Sequence, residues 1–347
     1  MAEQDPQFEQ RKRDHIRIAL DSKAQSELSA GLESIELLHE ALPDLDFSDL
    51  DLRTKFQQHT LSVPFFISSM TAGHEHGEEM NRRLAVFAQE RGLVMGVGSQ
   101  RKELLNGMAA QEWKKIRSEA PRAVLIGNLG IAQLIEAGPE PVLRLIENLQ
   151  ASGIFIHLNP LQEVLQLEGT PHFRGGLRAL EALVKACPVP VIVKETGSGF
   201  SRPTLERLQN TGIYAVDVSG RGGTHWGRVE TLRINESDWR SQSGSVFADW
   251  GVSTVQSMMN AKELPLRYQL WASGGVRNGL DVAKLMSLGA EMVGLAQPWL
   301  QAVMLPEPMA ALAAFADRIE YELKVALFCT GSKTPSELRE KWTWRKH

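Results

Sequence analysis

Residues 154–163 read Ile-Phe-Ile-His-Leu-Asn-Pro-Leu-Gln-Glu, three apolar side chains running directly into an imidazole, two carboxamides and a carboxylate. The apolar start reads as a β-strand, and Pro160, which cannot donate to a sheet, ends it. His157 and Asn159 are two positions apart, so on a strand they face the same way. A buried strand that ends in a dense polar cluster is what the catalytic rim of a β/α barrel requires.

Seven further apolar runs of the same kind flank this one. They are VPFFISS from Val63, LVMGVGS from Leu93, AVLIGN from Ala123, VPVIVKE from Val189, IYAVDVS from Ile213, YQLWASG from Tyr268 and EMVGLA from Glu291. Each is apolar nearly throughout rather than alternating, as expected of parallel strands covered on both faces. Amphipathic segments lie between them, including Glu79–Glu90, Pro141–Ala151, Leu177–Cys187, Pro203–Asn210 and Gly279–Leu288. Eight strand–helix units predict an α/β fold, a TIM (β/α)8 barrel with an N-terminal extension and a C-terminal helix. An open doubly wound sheet is the alternative, but it usually carries fewer strands. Residues 1–60 form the extension, with a helix from Gln10 to Ala19, and are expected to pack on the barrel mouth. Residues 61–347 form the barrel domain. Gly222 to Gly251 is expected to be a long loop, and the tail from Glu307 one long helix with a polar end.

The 347 residues carry a formal net charge of −4, which argues against bulk binding of nucleic acid. No apolar run approaches the roughly 20 residues of a membrane span. The N-terminus lacks the apolar core of a signal peptide, so a cytoplasmic location is expected. Cys187 and Cys329 are the only cysteines and form no CxxC pair, which excludes a cysteine zinc site of the usual spacing.

Glycine-rich turns follow the last three strands: SGRGG from Ser219, SGG from Ser273, and Ala296-Gln297 after the eighth. Glycine lets backbone amides approach a phosphate, and barrel enzymes bind phosphate at these late loops. Lys194 ends the fifth strand. It is a rim lysine paired with Glu195, a Schiff-base lysine, or a cation facing a bound cofactor. Glu163 is either a solvated loop carboxylate or a ligand for Mg²⁺, a hard cation that prefers oxygen. Arg11 and Lys12, by composition alone, read as a charged, solvated helix face.

Taken in order, RKRDH from Arg11, GVGSQR from Gly96, HLNPLQE, VIVKETGSG from Val191, VSGRGGTHW from Val218 and ASGGVRNG from Ala272 resemble the type 2 isopentenyl-diphosphate isomerases. No single motif decides this; six in the right order, from about Arg11 to Trp299, are highly specific. The resemblance implies a reduced FMN cofactor, Mg²⁺, NADPH as reductant and a homo-oligomer (tetramer or octamer). The activity it implies is interconversion of isopentenyl and dimethylallyl diphosphates in isoprenoid biosynthesis. It assigns the flavin to Ser69, Met70, Thr71, Ser99, Asn128, Lys194, Ser219, Thr224, Gly274, Gly275, Ala296 and Gln297. Lys194 is expected beside the ring edge that becomes anionic on reduction. The diphosphate substrate falls to Arg11, Lys12, Ser99, Gln100, Arg101 and Gln162, and Mg²⁺ to Glu163. Gln162, His157, Asn159 and Lys194 are the expected catalytic set, although an amide is a poor acid or base near neutral pH. His15 and His39 share the extension and either line the pocket or pack. Three positions depart from the family pattern: Ala72 replaces glycine, His225 serine and Ser253 proline. Of these, His225 is expected to alter the site most. The competing readings are an FMN oxidoreductase of the 2-hydroxy-acid oxidase kind, whose HGGRQ order is missing here, and a non-catalytic flavin-binding barrel.

Overall fold

The computed structural model describes residues 6–70, 75–105 and 110–345. All eight expected strands form: β1 (Phe65–Ile67), β2 (Val94–Gly96), β3 (Val124–Gly130), β4 (Gly153–Leu158), β5 (Val191–Glu195), β6 (Ala215–Asp217), β7 (Gln269–Ser273) and β8 (Met292–Leu295). Each pairs in parallel with its neighbour in chain order, and β8 pairs back onto β1, closing the barrel.

The pleat sorts each strand into an inner and an outer row. Phe66, Val94, Ile126, Phe155, Ile192, Ala215, Trp271 and Met292 meet inside as one apolar cluster. Phe65, Ile67, Met95, Leu125, Ile154 and Val193 face outward into the helices. Two residues further along the inner rows lie Ser68, Asn128, His157, Lys194, Asp217 and Ser273. The interior is therefore greasy below and polar above, and the change falls within one pleat repeat.

The first sixty residues touch both ends of this barrel. Helix α1 (Pro6–Ala19) lies at the C-terminal mouth, beside Ser68 and Lys194. The hairpin Thr54–Phe56 and His59–Leu61 closes the opposite end. Phe56 there is fully buried against the Trp271 ring, 5.6 Å between centroids.

Two expectations are corrected. The segment after β6 is not a long loop. After helix α2 (Pro160–Leu165) on β4, the chain also forms α3 (Trp226–Arg233) and α4 (Trp239–Ser245), capped by side chains of His225 and Asp238. The tail is not one helix. Helix α5 (Pro308–Phe328) stops, Lys341 Nζ donates to the carbonyls of Thr330 and Gly331 at 2.8 and 3.0 Å, and Trp342–Trp344 forms a strand. That strand pairs antiparallel with Ile35–Leu37 of the extension. No helix among the described residues is long and apolar enough to cross a membrane.

Candidate active site

The polar rim opens into a cleft at the barrel mouth. It is lined by Ser69, Met70, Ser99, Asn128, His157, Asn159, Gln162, Glu163, Lys194, Ser219, Thr224, Gly274, Gly275, Ala296 and Gln297, and by Arg11, Lys12 and Arg101. Thr71 and Ala72 lie outside the described residues. Gln100 does not line the cleft; its amide is turned behind β3 onto Glu103.

The turn from β4 into α2 concentrates the first group. Asn159 is the helix N-cap but makes no capping bond. Its Nδ2 instead reaches forward to Gln162 Oε1 at 3.2 Å and Glu163 Oε1 at 3.0 Å. Thr170 N donates to Glu163 Oε2 at 2.5 Å. Each carboxylate oxygen keeps a lone pair, so Glu163 is buried, oriented and still able to bind a cation. His157 Nδ1 lies 2.9 Å from Asn128 Oδ1, an acceptor, which makes Nδ1 the protonated nitrogen. Burial, with Lys194 and Lys12 nearby, pushes the imidazole down to about 3. His157 is therefore a neutral hydrogen-bonding group at any ordinary pH.

Lys194 is buried and donates to the Glu195 carbonyl at 2.6 Å, so its link to Glu195 is through the backbone. Burial lowers its ammonium, while Asp217 and then Glu195 oppose the shift. Asp217, register partner of Lys194 on β6, is fully buried and accepts from Ser273 Oγ at 2.8 and 3.0 Å. Glu195 faces outward; it accepts from the backbone amides of Thr196, Gly197 and Ser198, and burial lifts its carboxyl to about 7.

The residues fit an FMN. The buried atoms Ser68 Oγ, Ser69 Oγ, Gln133 Nε2 and Asn159 Oδ1 have no hydrogen-bond partner in the structure, and all four side chains line the cleft. Such atoms cost free energy unless a ligand meets them. At the late loops Gly274 and Gly275 have φ of +101° and +77°, and a Cβ at Gly274 would fall 2.1 Å from the Gly220 carbonyl oxygen. Only glycine allows these loops to pack back to back beside the phosphate position.

Sequence reasoning missed Glu230 on α3. It is fully buried and receives Gln162 Nε2 at 2.9 Å and Arg233 Nη1 at 2.5 Å, with His15 Nε2 also 2.9 Å from its carboxylate. Burial opposes its ionisation, but His15, Arg233 and Gln162 beside it hold it down at about 2. With its amide turned to suit, Gln166 donates to Glu230 and accepts from Arg11. Glu230 thus joins α1, α2 and α3 in one network. Its signal was weak because it stood in a stretch read as loop. Arg277, half-buried at the cleft and bonded to Gln25 Oε1 at 3.1 Å, was also missed, although its motif was noted. His15 lines the cleft, whereas His39 is exposed beside α5.

The two departures within the described residues, His225 and Ser253, serve the local fold. His225 is absent from the cleft lining; its Nδ1 accepts from Arg228 N at 3.2 Å and its Nε2 donates to the Trp250 carbonyl at 3.0 Å. Burial lowers its imidazole, as this doubly engaged neutral ring requires. Ser253 caps the helix Thr254–Lys262 by accepting from Gln256 N at 3.2 Å. The expectation that His225 reshapes the site is not met, because the ring turns away from it.

The sequence profile of the FMN-dependent dehydrogenase family matches residues 163–345. A Bdellovibrio bacteriovorus protein named isopentenyl-diphosphate delta-isomerase is 55% identical over 98% of this chain and 99% of its own. Namesakes from Legionella pneumophila and Nostoc are 50% and 41% identical, each over 96% of this chain and 97% and 95% of their own. Among solved structures, a flavocytochrome b2 mutant with pyruvate bound superposes with a TM-score of 0.68 at 16% identity, covering 95% of this chain and 82% of that one. A putative lactate oxidase of Pediococcus acidilactici gives 0.69 at 16% identity, covering 98% and 95%. At such identities the structural likeness concerns the fold alone.

Proposed function

This chain belongs to the isopentenyl-diphosphate delta-isomerase family, and from that premise we propose how its own residues divide the work of a flavin-dependent isomerase. The reaction moves a proton across an allylic unit, interconverting isopentenyl and dimethylallyl diphosphates with no net redox change. The observation that carries the reading is the Asn159–Gln162–Glu163 cluster, held within hydrogen-bond reach on one turn and sharing its cleft with Arg11 and Lys12.

Reduced FMN, when bound, supplies an electron-rich ring and a nitrogen able to exchange a proton with the alkene. Lys194 supplies positive charge to the reduced ring, and Ser219, Thr224, Gly274, Gly275, Ala296 and Gln297 hold the phosphate. Ser69, Met70, Ser99 and Asn128 complete the flavin site. Arg11, Lys12 and Arg101 bind the diphosphate, with Arg11 and Arg101 suited to paired hydrogen bonds on phosphate oxygens. Glu163 would hold Mg²⁺, which commonly takes one or two carboxylates together with phosphate oxygens. Gln162 is oriented by Glu230 and Asn159 toward the substrate, and the neutral His157 offers Nε2 as an acceptor. Helix α1 excludes water from the charge that develops on the substrate. NADPH is the proposed reductant. Assembly as a homo-oligomer is supported by the exposed Trp239, Val246 and Trp250 on and beside α4.

The test is deuterium incorporation from D₂O into isopentenyl diphosphate. It should be absent with oxidised flavin, appear on reduction, and require Mg²⁺. A yellow protein that oxidises 2-hydroxy acids and leaves the diphosphate unlabelled would overturn the reading.

A further inference from the structure

Strand β2 stops at Gly96, but its neighbour β3 runs on to Gly130. The upper half of β3 therefore loses its ladder partner on that side just where Asn128 reaches the cleft. Val97 N still donates to the Ile126 carbonyl at 2.9 Å. Beyond it, Gln100 engages both main-chain groups of Asn128: its N donates to the Asn128 carbonyl at 2.8 Å, and its Oε1 accepts from Asn128 N at 3.1 Å. One residue thus does with main chain and side chain what a strand would do with two.

Its amide is oriented from behind. Gln100 Nε2 donates to Glu103 Oε2 at 3.0 Å, and Asn148 Nδ2 donates to Glu103 Oε1 at 2.8 Å. An ionised carboxylate only accepts, so it requires the nitrogen of Gln100 and leaves the oxygen for Asn128. Room for the amide comes from Gly127, where a Cβ would lie 2.8 Å from Gln100 Oε1. On the other flank β3 is held by β4, with Gly130 opposite His157.

We propose that Gln100 is a positioning residue, not a diphosphate ligand: it brackets the Asn128 backbone so that the Asn128 carboxamide fixes His157 as the Nδ1–H tautomer with Nε2 free for the cleft. The inference rests on the role given above to His157. Glu103 and Asn148, which no cleft contact would reveal, belong to the same device.

The test uses the FMN-loaded enzyme and two variants. Gln100→Met keeps the volume and removes the acceptor. The swap Gln100→Glu with Glu103→Gln keeps an acceptor for Asn128 and a donor–acceptor pair behind it. The tautomer is read from ¹⁵N-histidine spectra, the His157 signal being identified by its loss in His157→Gln. In Gln100→Met the Nδ1–H signature should give way to a mixture, kcat should fall about tenfold, as loss of an orienting partner commonly does, and KM should stay nearly constant. The swap should restore both, and it decides alone if Gln100→Met does not fold. An unchanged tautomer in Gln100→Met, or a raised KM at constant kcat, overturns the proposal. A changed tautomer with unchanged turnover upholds the bracket and removes His157 from the reaction instead.

Discussion

Lys12 carries its ammonium into a buried site, and burial together with Arg11 drives it down to about 7 from 10.5. Between those values the unfolded chain holds a proton that the folded chain lacks, so the apo protein should grow more stable as pH rises through this window. A bound diphosphate favours the charged form and reverses the preference. Inorganic diphosphate should therefore bind with uptake of a proton and weaken by about tenfold per pH unit above about 7. Calorimetry in buffers of different ionisation enthalpy measures the uptake, and Lys12→Arg should abolish it; a flat profile in the unaltered protein would place Lys12 away from the anion. Glu230→Gln removes the charge that Arg233 and His15 face. Breaking a buried charged network costs about 3–5 kcal/mol, and turnover should fall about 10- to 100-fold with Gln162 unanchored. A variant with the thermal midpoint and rate of the unaltered protein would show the network to be incidental. Lys194, Asn159 and Glu163 were legible because each ends an apolar strand or follows it within a turn. The side chain of Gln100 lies behind β3 although its neighbours Ser99 and Arg101 line the cleft, because alternation says nothing about facing once the strand has stopped.

Helices α3 and α4 show how an element can hide. Their residues are rich in Gly, Ser, Arg and Thr, and the inward side of α3 presents Glu230 rather than a run of aliphatics. Apolar periodicity, the main helix signal, is therefore missing where the helix serves a polar cleft. The caps were the readable trace: Asp238 two residues before Arg240, and His225 three before Arg228. His225→Ser keeps a good cap but gives up the bond to Trp250. It should cost about 1 kcal/mol, seen as a small drop in melting temperature, and leave FMN affinity unchanged. Weakened FMN binding would return His225 to the phosphate site. The eight strands, by contrast, were readable because burial on both faces demands continuous apolar runs, and each structural strand falls inside its predicted run or within two residues of it.

At the scale of the molecule, α1 is fastened to the late loops rather than to the barrel wall. Gln25 and Gln297 both donate to the Ala19 carbonyl, at 3.2 and 3.1 Å, and Ser26 N donates to the Gly223 carbonyl at 2.8 Å. Removing residues before Asp21 should leave a folded flavoprotein, since the removed segment adds little more than Ile16, Ala19 and Leu20 to the main core. It should bind the diphosphate weakly and turn over slowly; normal kinetics would make Arg11 and Lys12 ordinary surface charges. The extension was visible in the sequence only as a segment outside the repeat. Its division between mouth and base was not, because docking of a short polar helix leaves no period in the chain.

The pairing of Ile35–Leu37 with Trp342–Trp344 also bears on how the protein is made. A ribosome delivers the extension before any barrel strand and its strand partner only after the last one. The barrel can close while the extension is still waiting for the segment that clasps it. A chain interrupted anywhere after β8 and before Trp342 would carry every barrel strand, yet leave the extension without that clasp. The fastening of the segment that carries Arg11 and Lys12 thus waits on chain made after the last barrel strand.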